Sequence, residues 1–159
     1  MTSANVSTAN ATATATANTA AIDAIVQFFE TLSPAQVEQL GTIYAPNAEF
    51  KDPFNSVRGV PAIQAIFRHM FVNLESPRFV ITERIVDGAQ CFLAWEFRFR
   101  FKSFRRDQEQ CIIGGSQLRL DEQGRITVHR DYWDAAEELY EKIPVLGGLM
   151  RWLRQRVNS

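Results

Sequence analysis

Residues 91–102, Cys91-Phe92-Leu93-Ala94-Trp95-Glu96-Phe97-Arg98-Phe99-Arg100-Phe101-Lys102, alternate in strict period two. Successive side chains of a strand point to opposite faces, so Leu93, Trp95, Phe97, Phe99 and Phe101 share one side and Ala94, Glu96, Arg98, Arg100 and Lys102 the other. One apolar and one charged face describe a strand that covers a core on one side and meets water on the other. Outward from it, Phe79 to Val86 precedes across an Asp87-Gly88 turn. Residues 109–120 and 125–133 follow, separated by a loop containing Gly124. The four segments predict an antiparallel meander.

Upstream the period changes. Ile22, Ile25, Val26, Phe29 and Leu32 recur at helical spacing and predict a first helix. Ser33-Pro34-Ala35-Gln36 supplies a cap hydroxyl, a proline at the first helical position and a glutamine three residues after the cap, which opens a second helix running to about Ile43. Tyr44 to Gly59 breaks every period and reads as a short extended piece and a long loop. Pro61 opens a third helix with Ile63, Ile66, Phe67, Met70, Phe71 and Leu74 on one stripe, ended by Pro77. The fold class is therefore α+β, with three N-terminal helices packed on a strongly curved antiparallel sheet whose concave side forms a pocket.

The ends read differently. Residues 1–21 are rich in Ala, Thr and Asn and poor in branched aliphatics, so they cannot offset the entropy of ordering and are expected to form a disordered tail. They carry no Lys or Arg and no long apolar run, which argues against a signal peptide or membrane span and for a cytoplasmic protein. Residues 135–159 form an amphipathic extension, with Leu146, Leu149, Met150, Leu153 and Val157 on one stripe beside Arg151, Arg154 and Arg156. It is expected to dock on its own domain or a partner subunit, contact with a membrane surface being the alternative.

The chain of 159 residues, 46% hydrophobic with 12 Phe, suffices for one folded domain, 22–134, and leaves no room for a second core. A net charge of −1 gives no basic face for nucleic acid. Cys91 and Cys111 lack metal or disulfide spacing and read as reduced thiols. No HxH or HExxH pattern occurs, Gly114-Gly115 lacks the strand-to-helix setting of a phosphate loop, and no metal or other cofactor is expected. His69 falls at the edge of the third helical stripe and is expected at the surface or a rim. Arg98, Arg100, Lys102, Arg105 and Arg106 read as the solvated face and turn of a hairpin.

From Ile22 to Asp134 the chain resembles the nuclear transport factor 2-like superfamily, which includes ketosteroid isomerases and SnoaL-like polyketide cyclases. The resemblance is carried by Tyr44-Ala45-Pro46-Asn47-Ala48-Glu49-Phe50-Lys51-Asp52-Pro53, by Gly59 ahead of the third helix, by Asp121-Glu122-Gln123-Gly124-Arg125-Ile126 and by Tyr132-Trp133. It implies a cone-shaped domain and places Asp52 where the isomerases keep their general base. Their tyrosine donor to the dienolate oxygen would fall at Phe28, and their protonated aspartic acid at Ser116. One lost oxyanion donor costs about 2.7–4 kcal/mol of transition-state stabilisation, so with both replaced the resemblance does not extend to steroid isomerisation.

A carboxylate at the mouth of an apolar pocket loses water and becomes a competent base near neutral pH, which suits Asp52 to proton abstraction. The alternative is a turn in which Asp52, ahead of Pro53, caps nearby amides. Alternation puts His129, Asp131 and Trp133 on one face of the last strand and Arg130 and Tyr132 on the other. The resemblance turns Trp133 inward and makes Asp131 and His129 a second acid/base pair, as SnoaL-like cyclases similarly use an acidic residue and a neighbouring His. Ile126, Val128 and Tyr132 would then lie outward on an apolar face that wants a cover, which predicts homodimerisation through the sheet.

The expectation is a cofactor-free protein that holds a small hydrophobic molecule between Phe28, Tyr44, Phe67, Ser116 and Trp133 and performs isomerase- or cyclase-like proton transfer. A non-catalytic binding or dimerisation module of the same fold is the competing reading.

Overall fold

The stripe of Ile22, Ile25 and Phe29 is buried in α1, Ser3–Glu30, of a computed structural model that describes residues 3–102 and 107–135. The helical backbone thus begins well before Ile22 and runs through the tract expected to be a disordered tail. Alanine is the strongest helix former, and once the buried turns are anchored each further residue adds a hydrogen bond without a new nucleus. The expected extension 135–159 lies outside the described residues from 136 onward, as do Arg105 and Arg106.

The second helix is shorter than expected. α2 is the single turn Pro34–Val37, capped by Ser33 Oγ accepting from the Gln36 amide at 3.3 Å, and a 3-10 turn, Leu40–Thr42, replaces its continuation. Val37, Leu40 and Ile43 are all buried. Their three-residue spacing fits the 3-10 period as well as the helical one. β1, Tyr44–Lys51, then forms a hairpin with β2, Ser56–Arg58, where the sequence suggested mostly loop. α3, Val60–Asn73, buries Ile63 and Phe67 and ends before Pro77, because Leu74 already pairs with Phe101. Lys102 Nζ donates to the carbonyls of Phe71 and Val72 at 2.9 and 2.8 Å and closes the helix.

β3, Leu74–Asp87, β4, Gln90–Phe101, β5, Gln110–Leu120, and β6, Ile126–Tyr132, form the expected antiparallel meander. The sheet as a whole is mixed, in the order β2-β1-β6-β5-β4-β3, since β1 runs parallel to β6. Tight turns force their strands antiparallel; β1 and β6 are joined through all the intervening elements, so packing decides their direction. Register shifts interrupt β3 at Glu75/Arg78 and Ile81/Glu83, and another lies between β5 and β6 at Arg119/Leu120. Each adds bend and twist to the sheet.

The alternation of residues 91–102 is realised. Leu93 is buried in the core with the stripes of α1 and α3, and Trp95 and Phe99 in a second cluster with Ile112, whereas Arg98 on the other face joins Glu96 and Glu109. In β6 one expectation is corrected. Ile126 was expected outward and is fully buried, because Leu120 pairs with Ile126 and Arg119 with Val128, leaving Thr127 as an extra residue that reverses the alternation.

Gly114 pairs with Trp95, and a Cβ built on it would stand 2.4 Å from the indole Cη2. The ring therefore lies flat over a position that only glycine fills. Gly114→Ala should destabilise the protein by about 1–3 kcal/mol through overpacking and shift the Trp fluorescence, both read in a urea titration.

Candidate active site

β6 turns His129 and Asp131 to the helix-covered face of the sheet, and β5 places Ser116 directly opposite Asp131. Asp131 Oδ1 accepts from Ser116 Oγ at 2.5 Å and from His129 Nε2 at 2.8 Å. Ser116 Oγ in turn accepts from Trp95 Nε1 at 2.8 Å. The hydroxyl of Tyr44 lies 2.5 Å from His129 Nδ1.

The direction of these bonds follows from chemistry. Tyr44 is wholly buried, and burial first, then the charge of Asp131, hold its hydroxyl well above the ordinary tyrosine range. Tyr44 therefore donates, Nδ1 accepts, and the ring proton sits on Nε2, where it meets the carboxylate. Tyr44 to His129 and Trp95 to Ser116 are two chains of donors that converge on one acceptor, Asp131. Polar groups out of water are tolerated only when paired in this way, and bonds to a carboxylate are stronger than those between neutral groups.

Aromatic rings close around the imidazole. The Tyr44 ring lies nearly parallel to it at 8° and meets it end to end through the hydroxyl, with centroids 5.9 Å apart, while Phe29 and Phe50 approach edge-on at 5.7 and 4.9 Å. Asp131 is less enclosed. Its Oδ2 has no hydrogen-bond donor among the described residues, and the side chain keeps 17% of its surface exposed.

Asp131 borders a hollow of about 380 Å³. β4 lines it with Trp95, Phe97, Phe99 and Phe101, and α3 with Ile66, Phe67, His69 and Met70. Phe50, Asp52 and Phe54 come from the β1–β2 hairpin, and Trp133 from the end of β6. Phe54 meets Trp133 edge-on at 5.5 Å. A narrow slot of about 20 Å³, room for roughly one water, lies between Phe29, Ser116, His129 and Asp131.

The structure thus brings Asp131, His129 and Ser116 into one network and sets Asp52, Phe67 and Trp133 in the wall of the same hollow. Asp52 is engaged elsewhere as well. Its Oδ1 accepts from the amides of Phe54 and Asn55 at 2.7 and 2.6 Å, and its Oδ2 from Asn55 Nδ2 at 2.9 Å. This carboxylate caps its own turn, the alternative the sequence left open.

Two expected wall residues are displaced. Phe28 does not line the hollow or the slot; the ring in the slot wall is Phe29, which belongs to the helical stripe. Tyr44 stands behind His129 and not against the hollow. The indole N–H of Trp95 is the contributor that sequence reasoning missed, and the glycine opposite it was the available signal. His69 is exposed at the rim. Among the described residues no cluster of three or more His, Cys, Asp or Glu is arranged to hold a metal, and no helix is long and apolar enough to cross a membrane.

A curved six-stranded sheet with helices on its inner face is the architecture of a nuclear transport factor 2-like domain. Residues 25–129 match the SnoaL-like domain family, and the chain belongs to it. A hypothetical protein with a ketosteroid isomerase-like fold from Catenulispora acidiphila, solved with trimethylamine, is similar at 17% identity and TM-score 0.64, over 75% of this chain and 88% of that one. A SnoaL-like polyketide cyclase structure from Shewanella putrefaciens aligns at 18% identity and TM-score 0.62, over 75% and 95%. An epoxide hydrolase of the LEH-like type from M. tuberculosis aligns at 18% and 0.61, over 91% and 98%. These likenesses concern the fold. No curated protein matches the sequence.

Tyr44→Phe keeps the ring and removes the donor to His129 Nδ1, leaving a buried acceptor unpaired. Urea unfolding should show a loss of about 1–3 kcal/mol. The pH dependence has a definite sign. The folded chain keeps Tyr44 protonated where the unfolded chain has released that proton, so stability falls as pH rises above the ordinary value of 10.0, and Tyr44→Phe should flatten that fall.

Proposed function

We propose that this SnoaL-like protein holds a small hydrophobic molecule in the hollow and moves a proton at a carbon beside a carbonyl, with Asp131 as the base. The observation that carries the reading is the state of Asp131: one oxygen is fixed by Ser116 and His129, and the other lacks a donor at the edge of an aromatic hollow. In this reading Oδ2 takes the proton and returns it to another carbon, while His129, oriented by Tyr44, holds the carboxylate in place. Asp52, given the base's role by resemblance, is a second carboxylate at the mouth with its oxygens occupied by the turn.

The hydrogen bonds also restrict the substrate. Trp95 donates to Ser116 and Ser116 to Asp131, so neither is free to receive a developing enolate oxygen. A substrate whose own conjugation carries the charge, such as one whose reacting carbon lies between a carbonyl and an aromatic ring, fits best.

Deuterium incorporation into phenylacetone in heavy water tests the reading. The wild type should exceed buffer alone, and Asp131→Asn should lose about 100-fold or more of the enzymic rate. Full exchange in Asp131→Asn would defeat the assignment. Binding without exchange in the wild type would favour the non-catalytic module, which the engagement of Asp52 in its turn also suits.

The outer face of the sheet supports homodimerisation as a further part of the proposal. Ile85 and Ile113 are 68% and 65% exposed there, with Phe92 and Tyr132 beside them. Ile113→Asp should lower the sedimentation coefficient toward that of a monomer, and an unchanged coefficient at monomer or dimer would count against this face.

A further inference from the structure

We propose that the hollow selects a hydrophobic ammonium, an organic cation whose aryl or alkyl body fills the aromatic space and whose charged nitrogen is held in the negative field of Asp131 and Asp52. The inference rests on the reading above in taking this hollow as the ligand site, and it concerns the charge of the ligand, not its turnover.

Three observations point the same way. Two carboxylates, Asp52 and Asp131, line the hollow, and among the described residues no Lys or Arg does. Lys51 and Arg130 line the adjoining outer cleft instead, where both side chains are exposed and water and salt screen them. Second, more than half of the lining residues are Phe or Trp. An aromatic ring presents a negative face, so rings beside a carboxylate add to a negative potential. The planes of Phe99 and Phe101 cross at 87° and those of Phe54 and Trp133 at 73°, so ring faces are offered in several directions. Third, Asp131 Oδ2 lacks a donor among the described residues, so its charge is not offset by a protein hydrogen bond.

A neutral ligand would use the apolar wall and gain nothing from the charge of the two carboxylates. An anion would meet repulsion from both carboxylates and from the rings, with no Lys or Arg among the described lining residues to offset it and only His69 at the rim. A cation with an apolar body satisfies every feature, through attraction to the carboxylates and to ring faces. The volume of about 380 Å³ has room for a compact amine.

The test is a head-group series measured by calorimetry on the full chain at neutral pH: phenethylammonium, phenethyl alcohol and phenylacetate. The ammonium should bind about tenfold or more tighter than the alcohol, and the carboxylate most weakly. An alcohol that binds as tightly as the ammonium, or no saturable binding of the ammonium at millimolar concentration, would overturn the inference. Asp131→Asn and Asp52→Asn should each lower the ratio of ammonium to alcohol affinity, with the alcohol reporting that the hollow survives. A ratio unchanged in both variants would also overturn it. Because this ratio is an equilibrium quantity, it separates from the exchange experiment: a wild type that prefers the ammonium but exchanges no deuterium would retain the ligand class and lose the reaction.

Discussion

A carboxylate taken out of water must be given hydrogen bonds or lose its charge, and Asp131 meets that demand through His129 and Ser116. Most of the interior is arranged around this requirement. Ser116 faces Asp131 because of the β5–β6 register, Tyr44 reaches His129 because β1 runs beside β6, and Trp95 reaches Ser116 because Gly114 leaves it room. A slip of one residue between β5 and β6 would turn His129 and Asp131 to solvent and the outward chain to the core. The extra residue at Thr127 lets Ile126 return to the core without disturbing that register farther along the strand.

The two carboxylates of the hollow differ in how they are held. Asp52 is fixed by its neighbours in sequence, Phe54 and Asn55, and its geometry is a property of the hairpin turn. Asp131 is fixed by residues distant in sequence, and its free oxygen is a property of the folded domain. A group whose lone pairs serve a local turn has a structural task already; one held from behind and open in front is placed to act on something else. That difference, more than the family likeness, orders the two as candidates.

The family accounts for the architecture, a bent sheet around a hollow, and its members carry different chemistries on it. What individualises this chain is the wall. Alternate residues of β4 supply a row of rings, α3 closes it with Phe67 and Met70, and the acidic groups enter from the hairpin and from β6. The charge and shape of the space therefore come from patterned strands and not from a loop insertion.

Helical and alternating periods alone determined most elements, because a buried face must repeat with the period of its backbone. They made α1 from Ile22 onward, α3 and the four-strand meander legible, and they marked Asp131, His129 and Trp133 as neighbours on one face. They did not reveal the parallel pairing of β1 with β6, the bulge at Thr127, the one-turn length of α2 or the helical backbone before Ile22, which depend on partners far along the chain or on anchoring elsewhere. The family resemblance chose Phe28 where packing chose Phe29, since a one-residue difference on a helix turns a side chain by about 100°. The sequence offered the capping turn at Asp52 as one of two readings, and only tertiary structure decided between them and left Asp131 an oxygen without a donor, because Ser116, which holds Asp131 together with His129, comes from another strand.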